Sequence, residues 1–196
     1  MWSLIFRRKN KDSIESSNVM SFQKDTKEAE IEKISTILKE VFSHTSKEIV
    51  ILCVGSDRST GDALGPMVGT MLKEKNIPLP VYGTLEQPVH ALNLKKVIKD
   101  IHNTYEEPFI FGIDACLGDA GKIGTVFIKE GAFIPGNAVN NVLPSVGHYH
   151  LKAIVNYLDP ISPVQSLNST RLYTVKILAE IVTEIITKAL NDLQNL

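Results

Sequence analysis

The stretch "EIVILCVGSDRSTGDALGPMVG", residues 48–69, decides the fold. It opens on a short apolar run closed by Gly55, the pattern of a strand buried in a parallel sheet. A glycine-bearing loop follows. Residues 63–75, "ALGPMVGTMLKEK", then read as a helix with Pro66 in its first turn, where a missing N–H costs little. Strand, glycine loop and helix together suggest a phosphate cradle, but that motif requires G-x-x-x-x-G-K-[ST]. Here Gly55 and Gly61 enclose five residues, and Asp62 stands where the lysine belongs. An aspartate there repels a phosphate, so the loop needs another purpose.

Outward from this unit, helical and strand patterns alternate. Residues 27–44 place Ile31, Ile34, Ile37, Leu38, Val41 and Phe42 on one helical face. "LPVYGTL" (79–85) predicts a second strand and "PVHALNLKKVIKDIHN" (88–103) a second helix. "PFIFGIDA" (108–115) predicts a third buried strand. "GTVFIKE" (124–130) follows a connection too short for a parallel crossover, so it is expected to run antiparallel. A long loop over 131–144 is then expected, followed by a helix at about 145–158, a last strand at 162–167 and a C-terminal helix over about 169–193. The order implies a three-layer α/β/α fold with an open, mostly parallel sheet and one antiparallel strand. Ligands of such sheets bind beyond the carboxyl ends of the strands, here the loops 55–62, 85–88 and 114–123, with 167–169 as a further candidate.

Composition narrows the class. The 196 residues suit one domain, read as 26–196, behind a flexible or loosely docked N-terminal tail over 1–25. Surface docking through Trp2, Ile5 and Phe6 is the alternative reading of that tail. A net charge of −1 gives no basic surface for nucleic acid, and no run approaches the roughly 18 apolar residues of a membrane span. Two distant cysteines, Cys53 and Cys116, form neither a disulfide framework nor a C-x-x-C zinc pair, which fits a reducing, cytoplasmic setting.

Two aspartates stand at strand ends. Asp62 closes the loop after the first strand and Asp114 ends the third, in "FGIDAC". Neighbouring strands lie about 4.8 Å apart, so adjacent strands would bring both carboxylates into one pocket. Such a pair shares a proton, activates water and protonates a leaving group, or else holds a divalent cation. Asp62 taken alone also reads as a helix N-cap, and Asp114 as a loop acid. Asp57 and Arg58, in the same loop, either contact substrate or are merely solvated. Asp119 reads as a turn residue. His148 and His150, in "PSVGHYH", fall in the first turn of the expected helix; their spacing does not put both on one face, so His148 alone is a candidate ligand, proton carrier or substrate contact, with a surface or capping role as the alternative. His90 is a weaker candidate. Cys116 with His148 could form a thiol nucleophile pair, but a buried inert cysteine is the simpler reading, and Cys53 belongs to the core.

"VGSDRSTGDALGPMVG" and "FIFGIDACLGD" resemble the spore protein YyaC family over about residues 28–190, a family related to the germination protease of spore formers. "GDALGPMVG" is similar to the protease segment around its first essential aspartate, which falls on Asp62, and "IDA" to the segment carrying the second, which falls on Asp114. That protease shares its fold with the hydrogenase maturation endopeptidases, whose motif G-D-E-x-x-G is similar to "GDALG". Those enzymes hold nickel with two carboxylates and a histidine, so the resemblance implies Asp62, Asp114 and His148 as candidate metal ligands; the nickel is the metal of their substrate, and a permanent ion does not follow. The chain is much shorter than the germination protease. The resemblance implies a sporulation-associated endopeptidase acting on small spore proteins in the forespore or spore interior. The alternative is a non-catalytic binding or scaffold protein that keeps the protease fold. Oligomeric state is left open.

Overall fold

Ile31, Ile34, Leu38 and Phe42 recur at helical spacing and are all buried on α1 (Lys27–Ser43). They fix this helix against a sheet. The structure, a computed structural model, describes residues 18–21, 27–135 and 144–194. Its strands are β1 (Asn18–Ser21), β2 (Ile49–Cys53), β3 (Val81–Tyr82), β4 (Phe109–Gly118), β5 (Thr125–Glu130) and β6 (Tyr149–Tyr157). They form one six-stranded sheet in the order β1-β5-β6-β4-β2-β3. β4 pairs in parallel with β2 on one side and β6 on the other, and β3 is parallel to β2. β5 runs antiparallel to both β6 and β1. Five strands therefore share one direction and β5 alone opposes them, as the short connection before it requires.

The other helices are α2 (Leu64–Glu74), α3 (Leu94–Thr104), α4 (Pro163–Asn168) and α5 (Leu172–Gln194). Helices α1, α2 and α5 cover one face. There Ile51, Phe111, Ile113, Leu151 and Val155 from alternate strand positions meet Ile34, Leu64, Val68, Val182 and Ile186. The Phe42 and Phe111 rings meet edge to face at 5.4 Å. Each fully buried Leu, Ile or Phe contributes about 1.5–3 kcal/mol, so this layer dominates stability. The opposite face is thinner: Val50, Leu52, Val54 and Ile110 pack on Leu94 and Ile101 of α3 and on Phe133 of the loop after β5. The result is the three-layer, mostly parallel α/β sheet expected from the sequence.

Five local expectations change. The helix expected at 145–158 is the strand β6. In "YHLKAIVNY" the odd positions Tyr149, Leu151, Ala153 and Val155 join the main core while the even positions face the other way, a period of two that pairing with β4 and β5 enforces. The strand expected at 162–167 is helix α4, with Pro163 in its first turn. α3 begins at Leu94 rather than 88, because Asn93 builds a turn first: its Oδ1 accepts from the His90 N–H at 2.8 Å and its Nδ2 donates to the Pro88 carbonyl at 2.9 Å. β3 keeps only two residues, since Gly83 turns away at φ 89°. Residues 18–21 of the expected tail form the edge strand β1; the remainder of 1–25, with Trp2, Ile5 and Phe6, lies outside the described residues. So do residues 136–143 of the expected loop.

Candidate functional site

The glycine loop is closed at its base by its own backbone. Gly55 has φ 150°, and a Cβ built there would lie 2.0 Å from the Asp62 carbonyl oxygen. Only glycine fits that approach. The Ser56 N–H donates to the same Asp62 carbonyl at 3.1 Å. Asp62 lies inside a 3₁₀ turn, Gly61–Ala63, that runs directly into α2. Neither this turn nor α2 has a side-chain cap, so Asp62 is not an N-cap. Its carboxyl is instead close enough to Asp114 for the charge of Asp114 to act on it.

Asp114 comes from the middle of β4, beside the end of β2, where Cys53 is in register with Ile113. It points away from the main core, being out of phase with Phe111 and Ile113. It is 3 % exposed. On its other side the register pairs Asp114 with Lys152 of β6, and the Lys152 ammonium bonds the Asp114 carboxylate at 3.1 Å. The Lys152 Nζ also lies 5.0 Å from the centre of the Phe133 ring. That ring fills the space that Gly112 leaves open, since a Cβ on Gly112 would come within 2.0 Å of it. The aromatic cover screens the ion pair from water and so strengthens it.

Both carboxyls are pushed above the usual carboxylate range. Burial drives Asp62 to about 6, the neighbouring Asp114 charge adds to the rise, and the Ser56 N–H opposes it. Burial also raises Asp114, against the pull of the Lys152 ammonium and the Ala115 N–H. Each carboxyl therefore holds its proton more readily than an ordinary carboxylate, and the Asp114 charge disfavours ionisation of Asp62.

The remaining candidates separate. Asp57 and Arg58 are exposed on the turn that leads to Asp62, where the Arg58 N–H donates to Ser56 Oγ at 3.2 Å. They rim the loop. His148 is at the other end of the sheet. Its Nδ1 accepts from the Ile110 N–H at 3.1 Å, and its ring stacks on Phe109 at 5.1 Å. Asp114 lies four residues farther along β4, roughly 13 Å at 3.3 Å per residue. The structure therefore does not bring His148 to the carboxylates, either as a ligand or as a proton carrier, because the residue precedes a strand and not a helix. Nor does His148 meet Cys116. The Cys116 thiol donates to the Ala153 carbonyl at 3.5 Å, and burial pushes it up to about 12. Burial also raises the Cys53 thiol, inside β2. His150 is buried and donates from Nδ1 to the Gly131 carbonyl at 2.9 Å. The His90 Nδ1 accepts from the Leu92 N–H, within the turn before α3. Asp119 is an exposed turn acid 3.8 Å from Lys122.

Lys152 and Phe133 are the site residues that sequence reasoning missed. The signal was the single lysine in an otherwise apolar run, in phase with His150 and out of phase with Leu151 and Ala153, visible only once that run is read as a strand. Two clefts flank the sheet. One is lined by Tyr82, Thr84, Gln87, His90 and Asn93, and the other by His44, Lys47, Phe109 and His148. Neither contains the aspartates.

Residues 22–185, which include both aspartates and Lys152, match the family described as "Protein of unknown function (DUF1256)". The chain belongs to that family. A relative is "Uncharacterized protein YyaC" of Bacillus subtilis (strain 168), 40% identical over 168 residues, which is 85% of this chain and 82% of the relative. The resemblance to the YyaC family read from the sequence is thus borne out. Among solved structures, the chain is similar to a [NiFe] hydrogenase maturation protease, HycI from Thermococcus kodakarensis KOD1, with a TM-score of 0.46 and 19% identity over 77% of this chain and 99% of that one. Among the described residues, no helix is long and apolar enough to cross a membrane.

Proposed function

We propose that this protein is a peptidase-type hydrolase in which Asp62 and Asp114 act as one proton-sharing unit on a peptide of a small spore protein. The observation that carries the reading is the half-buried Asp62, on the loop after β2, close enough to the buried Asp114 of the neighbouring strand β4 to feel its charge, with Asp62 raised to about 6 by burial and by Asp114. A carboxyl titrating near neutrality is suited to general acid–base work. The ionised member of the pair takes a proton from water as the water oxygen attacks the peptide carbonyl carbon. The protonated member then gives its proton to the departing amide nitrogen, and the C–N bond breaks. Asp57 and Arg58, exposed on the rim, would contact the polar groups of an extended substrate. The sequence motifs shared with the germination protease support a peptide as substrate.

The test is incubation of the purified protein with a panel of small spore proteins, with fragments read by mass spectrometry. Asp62→Asn and Asp114→Asn should each abolish cleavage while the circular dichroism spectrum is kept. Full cleavage by either folded variant, or no cleavage by the wild type, rejects the reading. Stable binding of a spore protein without turnover, unaffected by both substitutions, would favour a scaffold role.

A further inference from the structure

A divalent metal is the alternative use of a carboxylate pair, and the motif resemblance implies two carboxylates and a histidine around it. The donor set here does not fit. His148 is engaged at the opposite end of β4, and among the described residues no three His, Cys, Asp or Glu side chains gather where an ion could sit. The segment 136–143, "GNAVNNVL", which follows Phe133, contains none of these residue types. The Cys116 thiol, two residues from Asp114, is half-buried and donates to the Ala153 carbonyl. A cation already touches Asp114: the Lys152 ammonium, 3.1 Å away with its side chain only 14% exposed. The β4–β6 register and the Phe133 ring both hold it there.

We propose that Lys152 is a built-in counter-cation that takes the place of a metal ion at the Asp62–Asp114 pair. A buried carboxylate needs a compensating charge, and a carboxylate pair without one is a strong site for a divalent ion. An ammonium supplies that charge from within the chain. The charge-assisted bond from its ammonium to Oδ2 also restrains the orientation of that carboxylate. A divalent ion brought to the pair would be repelled by the ammonium at close range in a poorly screened place. Lys152 is therefore a positioning residue that keeps the site free of metal. The proposal concerns the same carboxylates as the hydrolase reading, but its test reads metal binding and not turnover, so either can fail alone.

The test is isothermal titration of the untagged full chain with nickel chloride. The wild type and Lys152→Arg should show no saturable binding that depends on Asp62. Lys152→Met and Lys152→Gln should bind nickel at least about tenfold more tightly than the wild type, as loss of a close like charge requires. Adding Asp62→Asn to either should remove the gain. Thermal melts establish that each variant is folded, and the Gln variant serves if the Met variant is not. The proposal is overturned if the wild type binds one nickel ion that Asp62→Asn abolishes, or if a folded Lys152 variant binds nickel no more tightly than the wild type.

Discussion

Replacing Asp62 with Asn keeps the shape of the side chain and removes a half-buried acid beside the buried Asp114. Its effect on stability should depend on pH in a way that a purely structural residue would not produce. The folded-state value of Asp62 is raised from 3.8 to about 6 by burial and by the Asp114 charge. A raised acid favours the fold while protonated, so its contribution is fully present below about pH 4 and is lost as pH rises through about 6. The shift is 6 − 3.8, about 2.2 units, and one unit corresponds to about 1.36 kcal/mol, giving about 3 kcal/mol as an upper bound. Asn cannot ionise. Relative to the wild type, Asp62→Asn should therefore gain stability progressively between pH 4 and pH 7, by up to about 3 kcal/mol. For a chain of this length that is a rise in Tm of roughly 6–12 °C. Urea unfolding of both proteins at several pH values reads the difference directly. The gain should shrink in an Asp114→Asn background, because part of the penalty is the charge of that neighbour. A difference between Asp62→Asn and wild type that stays constant from pH 4 to pH 8 would falsify the placement of Asp62 as a half-buried, raised acid. The same variant should lose cleavage, so the acid costs stability in order to be chemically useful.

Gly55→Ala should lower stability by about 2–4 kcal/mol, since φ 150° and a Cβ 2.0 Å from the Asp62 carbonyl leave no room without moving the loop; a urea midpoint equal to that of the wild type would contradict the observed approach. Phe133→Ala should cost about 3–5 kcal/mol in unfolding experiments, because the ring fills the space over Gly112 and covers Lys152. Cys116 should resist iodoacetamide at pH 8, where a thiol pushed to about 12 is almost wholly protonated, and Cys116→Ala should keep any cleavage activity; rapid labelling of Cys116 in the folded protein would reopen the thiol reading.

The sequence by itself determined the strand–loop–helix unit of residues 48–74, and with it the place of the site. The apolar run before Gly55, Pro66 in a first turn and the short link before β5 are local signals. Each acts through backbone geometry within a few residues, so it survives without knowledge of distant contacts. That Asp62 and Asp114 could meet was legible only on the condition that their strands are neighbours, and the pairing of β2 with β4 meets that condition. The run 149–157 was not legible. Nine residues with apolar groups at mixed spacing suit a helix or a strand, and only pairing with β4 on one edge and β5 on the other selects the strand. That choice moves His148 to the far end of the sheet and sets Lys152 against Asp114. Tertiary structure alone decided this, since the partner of a strand residue is fixed by the register with a neighbouring strand, here 38 positions away in sequence. The glycine loop and its acid are written in one continuous stretch of chain; the cation that neutralises the site comes from another strand, across the sheet.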